Sequence, residues 1–165
     1  MTVAVQATDS LVVGVQAPDF TLPYATRDSI AAEPLTLSHE VGKGAILLAF
    51  YPADWSGGCT REVCALRDDF AELGKLGVRV WAISGDYVWS HYEWAKHHNL
   101  PFELLSDHDH AVARQYNSYN PDKLYNKRTV CVVDSKGKIA FVNPQYSVRD
   151  EADFNALKAA LARIK

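Results

Sequence analysis

Residues 45–51 are apolar at every position, the pattern of a strand covered on both faces. A proline, a short polar turn and two glycines follow. From Cys59 onward the apolar positions Val63, Leu66, Phe70 and Leu73 recur at spacings of four, three, four and three. That stripe predicts an amphipathic helix, with Gly74 as its C-terminal cap. Residues 78–84 read as a second buried strand, closed by Gly85 and Asp86. Residues 87–99 predict a helix with Val88, Tyr92 and Ala95 along one side and Trp89 and Trp94 near its flanks, ending before Pro101.

Beyond this pair of strand-helix units the pattern changes. Residues 107–116 carry a weaker helical pattern, and 117–127, with Asn120-Pro121-Asp122, read as loop. Residues 129–134 and 138–143 flank Ser135-Lys136-Gly137 and predict a hairpin. Phe154, Leu157, Leu161 and Ile164 make an amphipathic helix of 150–164. Upstream, the alternation of 18–23 between two prolines suits a short edge strand, 35–37 a second one, and 42–44 a turn. Alternating strands and helices followed by a hairpin imply a mixed central sheet with helices on both faces, an α/β sandwich of thioredoxin-like type with an N-terminal strand extension. Residues 1–10 show little periodicity and are expected to be a flexible arm, leaving 11–165 as a single domain.

Composition narrows the function. The 17 basic and 20 acidic residues give a formal charge of -3, with no run of Lys or Arg to track a phosphate backbone, which argues against nucleic acid and anionic membrane as partners. No run approaches the ~18 apolar residues of a membrane span, and no secretory leader pattern is present, so the expected compartment is the cytoplasm. Three cysteines do not make a secreted disulfide framework. The pairs His97-His98 and His108/His110 lack zinc-site spacing, and no metal or cofactor is expected.

The chemistry concentrates in 50–64. Cys59 stands where the chain passes from strand to helix, so the free N–H groups and the positive end of the helix dipole favour thiolate over thiol. Cys131 lies inside an apolar strand and reads as buried and inert. Cys64 is different. With about 100° per residue it points roughly 140° away from the centre of the apolar stripe, and its Cα lies about 8.7 Å from that of Cys59 on an intact helix. A disulfide tolerates at most about 6.8 Å, so a bond between the two requires the helix to unwind.

These residues resemble the peroxiredoxin family. Its active-site pattern places a proline, then a threonine or serine, then the peroxidatic cysteine, and Pro52, Ser56 and Cys59 stand in that order, followed by Thr60 and Glu62. Arg67-Asp68 resembles the Arg-Asp further along the same helix, and Arg128 in Lys127-Arg128-Thr129-Val130 resembles the family arginine before a late strand. Cys64 and the run Leu100-Pro101-Phe102-Glu103-Leu104-Leu105-Ser106-Asp107 resemble the bacterioferritin comigratory, or Q-type, subgroup. Ser56 keeps the hydroxyl of the usual threonine without its methyl, and Trp55 replaces the usual phenylalanine.

The resemblance implies a thiol-dependent peroxidase in which Cys59 attacks hydrogen peroxide or an organic hydroperoxide and becomes a sulfenic acid. It implies that Cys64 resolves this species as a disulfide, and that thioredoxin or a glutaredoxin-like dithiol protein recycles it. Arg128 would supply charge and forked donors, Ser56 a hydroxyl, and Gly58 and Cys59 their N–H groups. Pro52 would shield the pocket, and Glu62 would orient Arg128. The alternatives are a one-cysteine peroxidase resolved by an external thiol, and a peroxide-sensing switch or holdase built on the same cysteine. A monomer or weak homodimer is expected.

Overall fold

The structure, a computed structural model, describes residues 11–164. The arm expected over 1–10 lies outside the described residues. In chain order the elements are β1 (Thr21–Leu22), β2 (Tyr24–Ala25), β3 (Leu35–Thr36), α1 (Leu37–Glu40), β4 (Ala45–Phe50), α2 (Gly57–Lys75), β5 (Val78–Ser84) and α3 (Val88–His98). They continue as β6 (Glu103–Ser106), α4 (Ala111–Gln115), β7 (Tyr119–Asn120), β8 (Tyr125–Asn126), β9 (Thr129–Val133), β10 (Ile139–Asn143) and α5 (Glu151–Arg163).

Six strands form the central sheet in the order β10-β9-β4-β5-β6-β2. β4, β5 and β6 run parallel, and the outer pairings are antiparallel. All six residues of β4 are buried because both faces are covered, as its unbroken apolar run requires. Leu47, Ala49 and Tyr51 pack with Val63, Leu66, Trp94, Leu157 and Leu161, which puts α2, α3 and α5 on one face. Ile46, Leu48 and Phe50 point the other way, to Phe20, Leu37, Val112 and Tyr116. This is the expected α/β sandwich, with mixed sheet and helices on both faces. No helix among the described residues is long and apolar enough to cross a membrane.

Several boundaries differ from the sequence reading for identifiable reasons. Helix α2 begins at Gly57, two residues before Cys59, because Ser56 is its N-cap. Gly74 does not cap it: the helix runs through to Lys75, and the left-handed turn that ends it falls on Gly77, at φ 73°, whose N–H bonds to the Gly74 carbonyl. Leu37 opens α1 rather than extending β3. The loop at 117–127 contains the small β7/β8 hairpin, whose reversal is built on Asn120, its Oδ1 accepting the N–H groups of Asp122 and Lys123. β2 and β6 escape pattern reading because two- and four-residue strands are too short to show a period.

The face of α3 is also different. Its buried residues are His91, Trp94 and Ala95, whereas Trp89 is 66% exposed. A histidine takes the core position because its ring finds polar partners there, the Asp54 carboxylate and the Leu105 carbonyl.

Candidate active site

The site lies at the carboxyl end of β4, where open α/β sheets leave a crevice. Tyr51 prolongs the strand, its N–H donating to the Ile83 carbonyl at 3.0 Å. The chain then turns through 52–56 and enters α2. Ser56 Oγ accepts the Cys59 N–H at 3.3 Å, which satisfies one free donor of the first turn, and the Ser56 carbonyl accepts the Thr60 N–H at 2.9 Å as the first bond of the helix. Cys59 lies on the inner stripe with Val63 and Leu66 and is fully buried.

Arg128, immediately before β9, reaches across from the strand that pairs directly with β4. Its Nη2 donates to Cys59 Sγ at 3.2 Å and its Nη1 to Glu62 Oε2 at 2.5 Å. Glu62 is one turn beyond Cys59 on α2, so one guanidinium bridges both. A fixed positive charge thus lies directly against the sulfur. Burial lowers the proton affinity of Arg128, but the negative charges of Glu62 and Cys59 outweigh it, and the guanidinium is held firmly protonated.

Glu62 is almost wholly buried, and its Oε1 has no hydrogen-bond partner among the described residues. Burial pushes its carboxyl up to about 7 even though Arg128 pulls the other way. Tyr146 completes the wall: its N–H donates to the Arg128 carbonyl at 2.9 Å, and burial, with Glu62 nearby, pushes its hydroxyl up to about 12.

Gly58 has a steric duty. A Cβ there would stand 2.6 Å from Arg128 Nη2, so the missing side chain is what lets the guanidinium lie over the first turn. The expectation that the Cys59 N–H is free to face a substrate needs correction, because Ser56 Oγ accepts it. Pro52 is half-buried in the turn. Trp55 is 51% exposed, its ring 5.6 Å from that of His97, on backbone at φ 65°.

The structure thus brings Cys59, Arg128, Glu62, Gly58 and Ser56 together. Cys64 is outside this cluster, half-buried, and all three cysteines are free. Burial pushes its thiol up, with Arg67 pulling against it. Cys131 sits in the opposite core layer, and burial pushes its thiol up to about 12, as its inert reading expects. Two features escape sequence reading. Tyr146 is brought in only by the return of the chain after β10. A buried group around Asp54 and His91 ties the turn to α3, and its one local signal is a histidine three and four residues before Trp94 and Ala95 on a buried stripe.

Residues 13–142 match the AhpC/TSA family. Over 145 residues the chain is 39% identical to the peroxiredoxin bcp of Coxiella burnetii, covering 84% of this chain and 92% of that one. It is 36% identical to a chloroplastic peroxiredoxin Q of Sedum lineare, covering 79% and 70%. The crystal structure of peroxidoxin BcpB from Mycobacterium tuberculosis superposes with a TM-score of 0.76 at 30% identity, covering 93% of this chain and 97% of that one. The chain belongs to the AhpC/TSA family, the peroxiredoxins, and within it resembles the bcp and Q-type members, so that it is a thioredoxin-fold peroxidase.

Proposed function

We propose that Cys59 is the peroxidatic nucleophile of a two-cysteine cycle, that Cys64 resolves it, and that thioredoxin or a similar dithiol protein returns the disulfide to two thiols. The observation that carries the reading is the Arg128 guanidinium 3.2 Å from Cys59 Sγ, with its other nitrogen held by Glu62. The thiolate attacks the outer oxygen of hydrogen peroxide or an organic hydroperoxide. The S–O bond forms as the O–O bond breaks, and water or an alcohol leaves after taking up a proton. Arg128 offers fixed donors where negative charge develops. Ser56, its oxygen already accepting from Cys59, has its own O–H left to donate. Pro52, lacking an N–H, keeps a competing donor out of the turn.

The sulfenic acid then condenses with the Cys64 thiol, releasing water and forming the disulfide. Burial of Cys64 supports a coupled step: unwinding α2 both closes the distance and returns Cys64 to water, where its thiolate forms more readily. The chain works in a reducing compartment, the cytoplasm, as a monomer or weak homodimer, and uses sulfur chemistry alone.

A coupled assay with peroxide, thioredoxin, thioredoxin reductase and NADPH tests the whole cycle. Wild type is expected to turn over continuously and Cys59→Ser not at all. Cys64→Ser is expected to consume one equivalent of peroxide and stall with sulfenic acid on Cys59. Undiminished turnover of Cys64→Ser would transfer resolution to an external thiol, and a wild type that stalls after one equivalent would make the chain a sensor.

A further inference from the structure

The turn ahead of Cys59 is held by a buried polar chain that the peroxidatic reaction does not use. Asp54 is 7% exposed, yet its backbone N–H and both carboxylate oxygens are engaged. The N–H donates to an Asp86 carboxylate oxygen at 2.8 Å, and Oδ1 accepts the Tyr51 hydroxyl at 2.7 Å. Oδ2 accepts the Ser90 hydroxyl at 2.8 Å and lies 2.8 Å from Nδ1 of His91. His91 is fully buried, and its Nε2 faces the Leu105 carbonyl at 3.1 Å.

A carbonyl only accepts, so Nε2 is the donor to Leu105, and Nδ1 is the ring atom that faces the Asp54 carboxylate. Tyr51 and Ser90 donate to the same Asp54 carboxylate, so both of its oxygens are held. These contacts join the turn, α3 and β6 at one point.

The backbone just beyond Asp54 reveals the purpose of the anchor. Trp55 takes a left-handed conformation, φ 65°, which is strained for a bulky residue and persists only where its neighbours impose it. Ser56 then caps α2 at Cys59. Only the strained residue separates the fastened carboxylate from the cap.

We propose that Asp54 and His91 are positioning residues that hold 52–56 in the strained conformation capping α2, and so favour the folded, peroxide-reactive arrangement over the unwound one that forms the disulfide. The proposal rests on the roles of Cys59 as peroxidatic and Cys64 as resolving cysteine. The sulfenic acid has two fates that report this balance. Condensation with Cys64 releases water and requires unwinding. Attack on a second peroxide molecule breaks that O–O bond, adds one oxygen to the sulfur to give a sulfinic acid, releases water or an alcohol, and requires the folded site.

The test is a peroxide titration of full-length wild type, Asp54→Asn, His91→Phe and the milder Ser90→Ala, with disulfide and sulfinic acid at Cys59 measured by mass spectrometry. The peroxide concentration giving equal amounts is expected to rise ~10-fold or more in Asp54→Asn and His91→Phe, and ~2- to 3-fold in Ser90→Ala. An unchanged crossover in the folded variants, whatever their melting temperatures, would reduce these bonds to general stability and overturn the proposal. If the two larger changes prevent folding, Ser90→Ala decides by the same criterion. A wild type that forms neither product would instead refute the underlying assignment of Cys59 and Cys64, before any anchor variant is read.

Discussion

Arg128 meets Cys59 only because residue 58 has no side chain. A methyl on Gly58 would come within 2.6 Å of Nη2, and that nitrogen cannot move aside without leaving the sulfur or tilting the fork away from Glu62. Gly58→Ala is therefore expected to slow Cys59 oxidation about 10- to 100-fold in stopped-flow measurements while leaving the melting temperature nearly unchanged. Glu62 makes a pH prediction. Its carboxyl is raised from the ordinary 4.5 to about 7, so the folded state binds this proton more tightly than the unfolded chain does. The stability it contributes is complete below 4.5 and is lost as pH rises through about 7. Glu62→Gln never ionises, so its stability relative to wild type should grow between pH 4.5 and pH 8, by at most ~3 kcal/mol in urea unfolding. A gap equal at both pH values would show that the buried acid does not titrate in this range.

At the scale of elements, α2 has two tasks that conflict. Its first turns present Cys59, and they must come apart if Cys64 is to reach it. The grip of α2 on its surroundings is uneven. Arg67 donates to the His98 carbonyl at 2.8 Å, and Glu72 pairs with Lys158 of α5 at 2.9 Å, both beyond Cys64. Ahead of Cys64, the Ser56 cap and the Arg128 bridge are the fastenings. Hydrogen exchange is expected to be faster over 60–64 than over 66–73. Ser56→Ala removes a cap that contributes about 1 kcal/mol and should widen that difference ~5-fold. Uniform exchange along α2 would remove local unwinding from the cycle. The helix itself is legible in the sequence through its apolar stripe, but its ends are not, since they depend on a serine side chain turning back and on where the left-handed position falls.

For the whole molecule the same conflict predicts that oxidation weakens the fold. A Cys59–Cys64 bond closes a loop of only a few residues, the case in which a cross-link restricts the unfolded chain least. In exchange the fold surrenders the Ser56 cap, the burial of Cys59 and the Arg128 bridge. The oxidised chain is expected to melt below the reduced one in calorimetry, and a higher melting point would contradict that balance.

What the sequence by itself determines about this protein is what local rules govern. Two-sided burial marks β4 and β5, helical spacing marks α2 and α5, and turn chemistry marks the β9/β10 hairpin. The run from Pro52 to Cys64 announces the family and the cysteine proposed as nucleophile, and the family likeness extends to Arg128. Only the tertiary structure decides that Arg128 touches Cys59 and Glu62 at once, that Gly58 makes room for it, and that His91 finds a carboxylate and a carbonyl inside the core. The reason is physical: charge pairing, burial and steric clearance depend on distances between residues far apart in the chain, and those distances exist only after the sheet has brought β4 and β9 side by side.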